Sequence, residues 1–172
     1  MSLENAKANL REFGKELNLE GLAFDENHTC ILGIDNTFSL HLTFEPNSDP
    51  LYLYSPILDG LPKDQAILLK LYQALLESAM LGGKMAGGGV GVAVKEELVL
   101  MHCILEMGAG TDASALRRFA PLFVQSVEDL REIAKSIVEG REPAKSTRPT
   151  PGGQGLPPGE GLARPGGPFQ KV

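Results

Sequence analysis

The chain has 172 residues with 22 acidic and 16 basic side chains, room for one domain with a single core and a net charge of −6. The charge is uneven: residues 141–172 hold five basic and two acidic side chains, leaving eleven and twenty on residues 1–140. A body this acidic repels phosphate backbones, so nucleic acid is excluded as an expected partner. No apolar run approaches the roughly 18 residues that a membrane helix requires, and Met1–Gly21 is mixed polar rather than signal-like. Membrane insertion is therefore not expected, and the chain reads as cytoplasmic.

Leu3, Ala6, Leu10, Phe13 and Leu17 recur at spacings of three and four, which predicts an amphipathic first helix ending before Gly21. From His28 the period changes to two. Cys30, Leu32 and Ile34 alternate up to a tight turn at Asp35-Asn36, and Phe38, Leu40, Leu42 and Phe44 alternate after it. Leu51–Tyr54 predicts a third strand, with Pro56 ending its pairing. Pro62 sits where a first helical turn tolerates it, and a second helix is expected from Ile67 to about Leu81. Its apolar residues form two adjacent rows, Ile67, Leu71, Leu75, Ala79 and Leu68, Tyr72, Leu76, Met80, a stripe wide enough for two neighbours.

Gly82-Gly83 stops that helix, and Gly87-Gly88-Gly89 predicts a flexible loop into a fourth strand at Val90, Val92 and Val94. The fifth strand, Leu98–Leu105, is apolar on both faces, which implies that its second face is covered by a helix, a second subunit or a ligand. Asp112 is expected to cap a last helix through Ile137, with Pro121 kinking it near Arg117. The order α-β-β-β-α-β-β-α predicts an α+β domain over residues 1–140, with one largely antiparallel sheet packed by helices. Residues 141–172 contain seven Pro and seven Gly among few apolar side chains, and are expected to form a disordered tail.

Catalytic chemistry finds little support. The run Gly82–Gly91 fails as a phosphate loop: Ser78 stands where the leading glycine belongs, Met85 follows Lys84 where a magnesium-binding hydroxyl belongs, and the loop leaves a helix to enter a strand. His28 and His41 are placed to approach each other across the first hairpin, near Asp25, Glu26 and Asp35, yet match no metal or acid–base motif, and a solvated strand face is the expected reading. His102, amid apolar residues, reads as a hydrogen-bonded core histidine. Cys30 and Cys103 read as buried free thiols. No catalytic residue, metal or cofactor is expected, and the chain is not expected to be an enzyme.

The element order, the acidic body, and the stretches Cys30-Ile31-Leu32, Phe38–Thr43, Leu58-Asp59-Gly60-Leu61-Pro62 and Met80–Ala93 resemble class I type III secretion chaperones, the CesT/SycE-like or Tir-chaperone family. The Met80–Ala93 run is particularly similar to the chlamydial multi-cargo members. The resemblance spans Leu3 to about Gly140; Pro121 and the long Pro/Gly tail depart from the family's simplest form.

The resemblance implies a bacterial cytoplasmic homodimer, formed here through Leu68, Leu71, Leu75, Val90, Val92 and Val94. It also implies an apolar groove for the N-terminal segment of secreted effector proteins, with Leu10, Phe13, Leu17, Leu32, Ile34, Phe38, Leu40 and Leu42 as the residues concerned. A helix stripe and one sheet face would also fill an ordinary core, so about half of these are expected to touch cargo. The bound segment would lie extended and add a strand to a sheet edge. Partners implied beyond cargo are the secretion-system ATPase or sorting components. The competing readings are a scaffold module binding folded partners, and a small hydrolase or metal enzyme built on His28 and His41.

Overall fold

The computed structural model describes residues 2–19, 21–108, 110–141 and 169–171. In chain order these form α1 (Ser2–Glu16), β1 (Thr29–Ile34), β2 (Phe38–Phe44), β3 (Pro50–Asp59), α2 (Gln65–Ala79), β4 (Gly89–Ala93), β5 (Leu98–Glu106), α3 (Ala115–Val138) and β6 (Phe169–Lys171). All strand pairs are antiparallel and make one sheet in the order β4-β5-β3-β2-β1-β6. Through α3 this is the expected α+β order.

Register explains the core. Leu32 lies opposite Leu40, Leu42 opposite Leu53, and Leu53 opposite Cys103, so the alternate residues of four strands share one face. All of them are buried, together with Leu10 and Phe13 of α1, Leu71 and Leu75 of α2, and Phe123, Val127 and Leu130 of α3. The helices therefore cover one face of the sheet, with α3 packed on β3 and flanked by α1 and α2. The turn between β1 and β2 has Asp35 and Asn36 at φ 46° and 55°, closed by the Thr37 N–H donating to the Ile34 carbonyl at 2.8 Å, as the Asp-Asn pair foretells.

Four features differ from the expectation. Pro56 does not end β3: the ladder with β2 stops at His41 opposite Tyr54, while Pro56 still pairs with Leu100 of β5 before a register shift between Pro56 and Leu58. A proline has no N–H to offer, so pairing is lost toward one neighbour only. Here the Ser55 hydroxyl donates to the Ser39 carbonyl at 2.7 Å, bridging β3 to β2 beside the break.

The glycine-rich loop is a folded plug. The Met85 and Gly87 N–H groups both donate to the Gly82 carbonyl, the Gly88 N–H donates to Met85, and the Met85 side chain is fully buried. Third, Asp112 is not the capping residue of α3. It accepts from Ser114, the actual cap, and from Arg118, which together hold its carboxyl down to about 2. The helix start is instead met from α1, where the side-chain Oδ1 of the buried Asn9 accepts the Leu116 N–H at 3.0 Å. Asn5 donates nearby to the Met107 and Gly108 carbonyls.

Fourth, among the described residues no helix covers the outer face of β5, and His102 is not in the core. Leu100 is half-buried, Ile104 is 52% exposed, and His102 is exposed between them rather than in the core. Strand alternation decides this, because Val99, Met101 and Cys103 take the inner face. Pro121 stands inside α3, which continues as one helix to Val138. The expected tail lies mostly outside the described residues; of it, Arg141 and the strand β6 are described.

Candidate functional site

The first candidate surface lies where α1 meets the β1 end of the sheet. Leu10, Phe13, Leu32, Ile34, Leu40 and Leu42 are all buried in the core, because the apolar stripe of α1 and the inner face of β1 and β2 are parts of one packed interior. Leu17 and Phe38 are the two of the eight that remain half-buried at its rim. Phe38 lies under the Arg131 guanidinium, 5.1 Å from the ring centre. Arg131 in turn donates to the carbonyls of Thr37 at 3.1 Å and Pro56 at 2.9 Å, clasping the β1–β2 turn to β3.

Two further features were not read from the residues. An open groove of about 770 Å³ runs between α1 and the segment Leu19–Phe24. Gly14 sets its floor: a side chain there would stand 3.0 Å from Leu22 Cβ and 3.1 Å from the Leu19 carbonyl oxygen. The second is the outer edge of β1, the side away from β2, where β6 pairs with Leu32–Ile34 and Asp25 bonds both backbone groups of Thr29.

The second candidate surface is at the opposite end. Leu71 and Leu75 are buried and Leu68 and Val90 half-buried, whereas Val92 is 38% and Val94 70% exposed. The buried pair serves the contact between α2 and α3. Leu69 and Leu76 of α2 and Met80 just past its end are 59–70% exposed, and they run into Leu81, which is 99% exposed at φ 56°. A left-handed backbone is strained for a leucine. The edge strand β4 packs against α2, so the end of the sheet that carries the exposed Val92 and Val94 lies beside this helix. The wide stripe of α2 thus divides into an inner row for α3 and an outer row facing solvent.

The histidines do not assemble. His28 lies beside Phe44, whose N–H donates to its carbonyl, while His41 lies opposite Ile31, stacks on Tyr54 at 4.8 Å and shares a 2.8 Å hydrogen bond with Ser39. Burial lowers the His41 pKa. Among the described residues no group of three or more His, Cys, Asp or Glu is arranged to hold a metal ion. Both cysteines are buried free thiols, and burial pushes Cys103 up to about 12. Among the described residues no helix is long and apolar enough to cross a membrane.

The family model of the Tir chaperone protein (CesT) family matches residues 8–131. The chain belongs to the CesT family. The matched span runs from within α1 to Arg131 of α3 and so includes both candidate surfaces. No curated protein matches the chain. Among solved structures the chain is similar to one in the HopA1-SchA chaperone–effector complex, with 23% identity, a TM-score of 0.58, and coverage of 74% of this chain and 94% of that one. It is similar also to one in the ExsC-ExsE complex, with 14% identity, a TM-score of 0.62, and coverage of 76% and 94%. A third likeness is to a complex of the Yersinia pestis type III secretion chaperone SycH with a stable fragment of YscM2, with 20% identity, a TM-score of 0.51, and coverage of 72% and 98%. At these identities the likeness is one of fold, and it extends over nearly the whole of each of those chains.

Proposed function

We propose that this chain is a type III secretion chaperone. It binds the N-terminal chaperone-binding segment of secreted effector proteins and keeps it extended, soluble and ready for export. The observation that carries the reading is the CesT-family match over residues 8–131, which spans a domain offering backbone edges and apolar rims. Two of the similar structures are described as a chaperone–effector complex and as a type III secretion chaperone bound to a protein fragment.

The work is holding, with no bond made or broken. An extended segment pairs with the β1 edge through backbone hydrogen bonds, which demand little of its sequence. Its alternate side chains meet the rim residues Leu17 and Phe38 and the groove between α1 and Leu19–Phe24. The six buried members of the predicted set, Leu10, Phe13, Leu32, Ile34, Leu40 and Leu42, support this surface from beneath. The homodimer forms at the other end through Leu69, Leu76, Met80, Leu81, Val92 and Val94, with Leu68 and Val90 at its margin and Leu71 and Leu75 behind it. The reading places the protein in the bacterial cytoplasm, with delivery to the secretion ATPase or sorting components as the following step.

The test is titration of the purified protein with N-terminal segments of effectors from a bacterium that carries the secretion system, followed by hydrogen exchange on the complex. Saturable binding is expected, with the cargo protected only along the bound strip. A Leu17→Asp variant should bind roughly tenfold or more weakly, the effect of losing one apolar contact. Absence of binding to every such segment would sink the reading. A partner protected throughout its fold would replace it with a scaffold that binds folded proteins.

A further inference from the structure

Nothing within β1 protects its outer edge. Thr29–Ile34 reads Thr-Cys-Ile-Leu-Gly-Ile, without charge or proline, and its six-residue ladder with β2 contains no bulge. Natural sheets blunt such edges with lysine, proline or bulges, or cover them, because an uncovered row of N–H and C=O groups recruits other strands. Here the cover comes from far along the same chain. Phe169–Lys171 pairs antiparallel with β1, setting Lys171 opposite Leu32, Gln170 opposite Gly33 and Phe169 opposite Ile34.

We propose that the outer edge of β1 is a strand-accepting site whose resident occupant is this chain's own segment Phe169–Lys171, and that cargo displaces this segment to pair there. The displacement rests on the proposed chaperone function; the self-pairing does not.

Three observations support the pair of statements. The resident strand takes Leu32, Gly33 and Ile34, three of the six residues of β1, while Asp25 closes Thr29 by accepting its N–H and donating to its carbonyl, so an incoming segment competes directly for the Leu32–Ile34 positions. Gly33 lies at the centre of the covered stretch, and a glycine within a strand often marks a site of close backbone approach. Charge favours return of the segment: residues 141–172 carry five basic and two acidic side chains against eleven and twenty on residues 1–140. Tethering also makes re-pairing an intramolecular event, favoured over pairing with a second molecule.

The experiment compares the full chain with a chain ending at Pro168, and with the full-length variant Gln170→Pro, which removes one backbone donor. Amide exchange is read at Gly33, whose N–H faces away from β2 toward Gln170, with Val99–Cys103 of β5 as the internal control. The Gly33 amide is expected to exchange several-fold faster in both altered chains while the control is unchanged, and a peptide of residues 166–172 added to the shortened chain should restore protection. Equal exchange in all three proteins, or a peptide that does not bind, overturns the self-pairing.

An effector N-terminal segment is then titrated into the full and shortened chains. If the resident strand is in place about nine-tenths of the time, its removal strengthens binding about tenfold, since apparent Kd scales inversely with the competent fraction. Equal affinity for the two chains overturns the displacement. A segment that binds neither chain overturns the chaperone reading, and the exchange comparison still decides the self-pairing on its own.

Discussion

The side-chain oxygen of Asn9, buried within the first helix, accepts the backbone N–H of Leu116, 107 residues later, at 3.0 Å. Its amide nitrogen donates to the Asn5 carbonyl at 3.0 Å, so both ends of the side chain are used. Asn9→Ala should leave the Leu116 donor buried and unmet, costing about 1–3 kcal/mol. Urea unfolding checks this: the midpoint should fall with the slope unchanged. An unshifted midpoint would mean that water meets the donor instead.

Two glycines of the loop after α2 should respond oppositely. A side chain at Gly88 would stand 2.0 Å from the His102 carbonyl oxygen and 2.8 Å from Cys103 Cβ. Gly88→Ala is expected to cost about 1–3 kcal/mol, as overpacking does. At Gly83 the backbone is already helical, with φ −61°, and the nearest atom is 3.8 Å away. Gly83→Ala should be neutral or stabilise by about 0.4–1 kcal/mol through the unfolded chain. Thermal melts of the pair give the comparison directly.

Thiol labelling tests the interior. Cys30 is 5% and Cys103 3% exposed, and burial raises the Cys103 pKa to about 12. Thiolate is the reactive form, so the native protein should react with iodoacetamide far more slowly than the urea-unfolded chain. Rapid labelling of Cys103 in the native state would show that the sheet opens under native conditions.

The stack of His41 on Tyr54 makes stability depend on pH. Burial lowers the His41 pKa below 6.5, so the unfolded chain takes up the proton first as pH falls. Its contribution is intact above about pH 6.5 and is lost as pH falls through the folded value. NMR titration should place the His41 midpoint below 6.5, and His41→Phe should reduce the drop in urea midpoint between neutral and mildly acid pH. A His41 midpoint at or above 6.5 contradicts the prediction.

The proposed dimer has its own check. Leu76 is 66% and Met80 70% exposed beside the β4 edge. Sedimentation should show a dimer for the native chain and a monomer for Leu76→Glu/Met80→Glu, with far-UV circular dichroism unchanged because both side chains face solvent. A native monomer at all concentrations removes the interface.

Periodicity carried most of the fold. The three-and-four spacing of Leu3 to Leu17 and the strict alternation of Phe38 to Phe44 reflect burial on one face, which a single segment records by itself. Partnership across the chain is not recorded that way. Asn9 looks like any polar residue in a helix until Leu116 is beside it, and Pro56 looks like a strand end until β5 is seen to continue the pairing. Met85 was hidden in a run of glycines whose function is to return that side chain to the core. The candidate surfaces were legible by element rather than by residue. Apolar spacing located α1, β1, α2 and β4 and gave both rows of α2, but it grouped the exposed Leu76 and Met80 with Leu68 and Tyr72 and left out Leu69, because exposure is set by which neighbour the helix lacks.

The covering of β1 by β6 has a consequence for association. A sheet with both margins open can join a neighbour at each end, as a monomer with two reactive groups does, and its growth has no natural stop. Phe169–Lys171 acts as an end-capper on one margin and leaves β4 as the other. In the proposed dimer, one functional end per chain would make growth terminate at the pair.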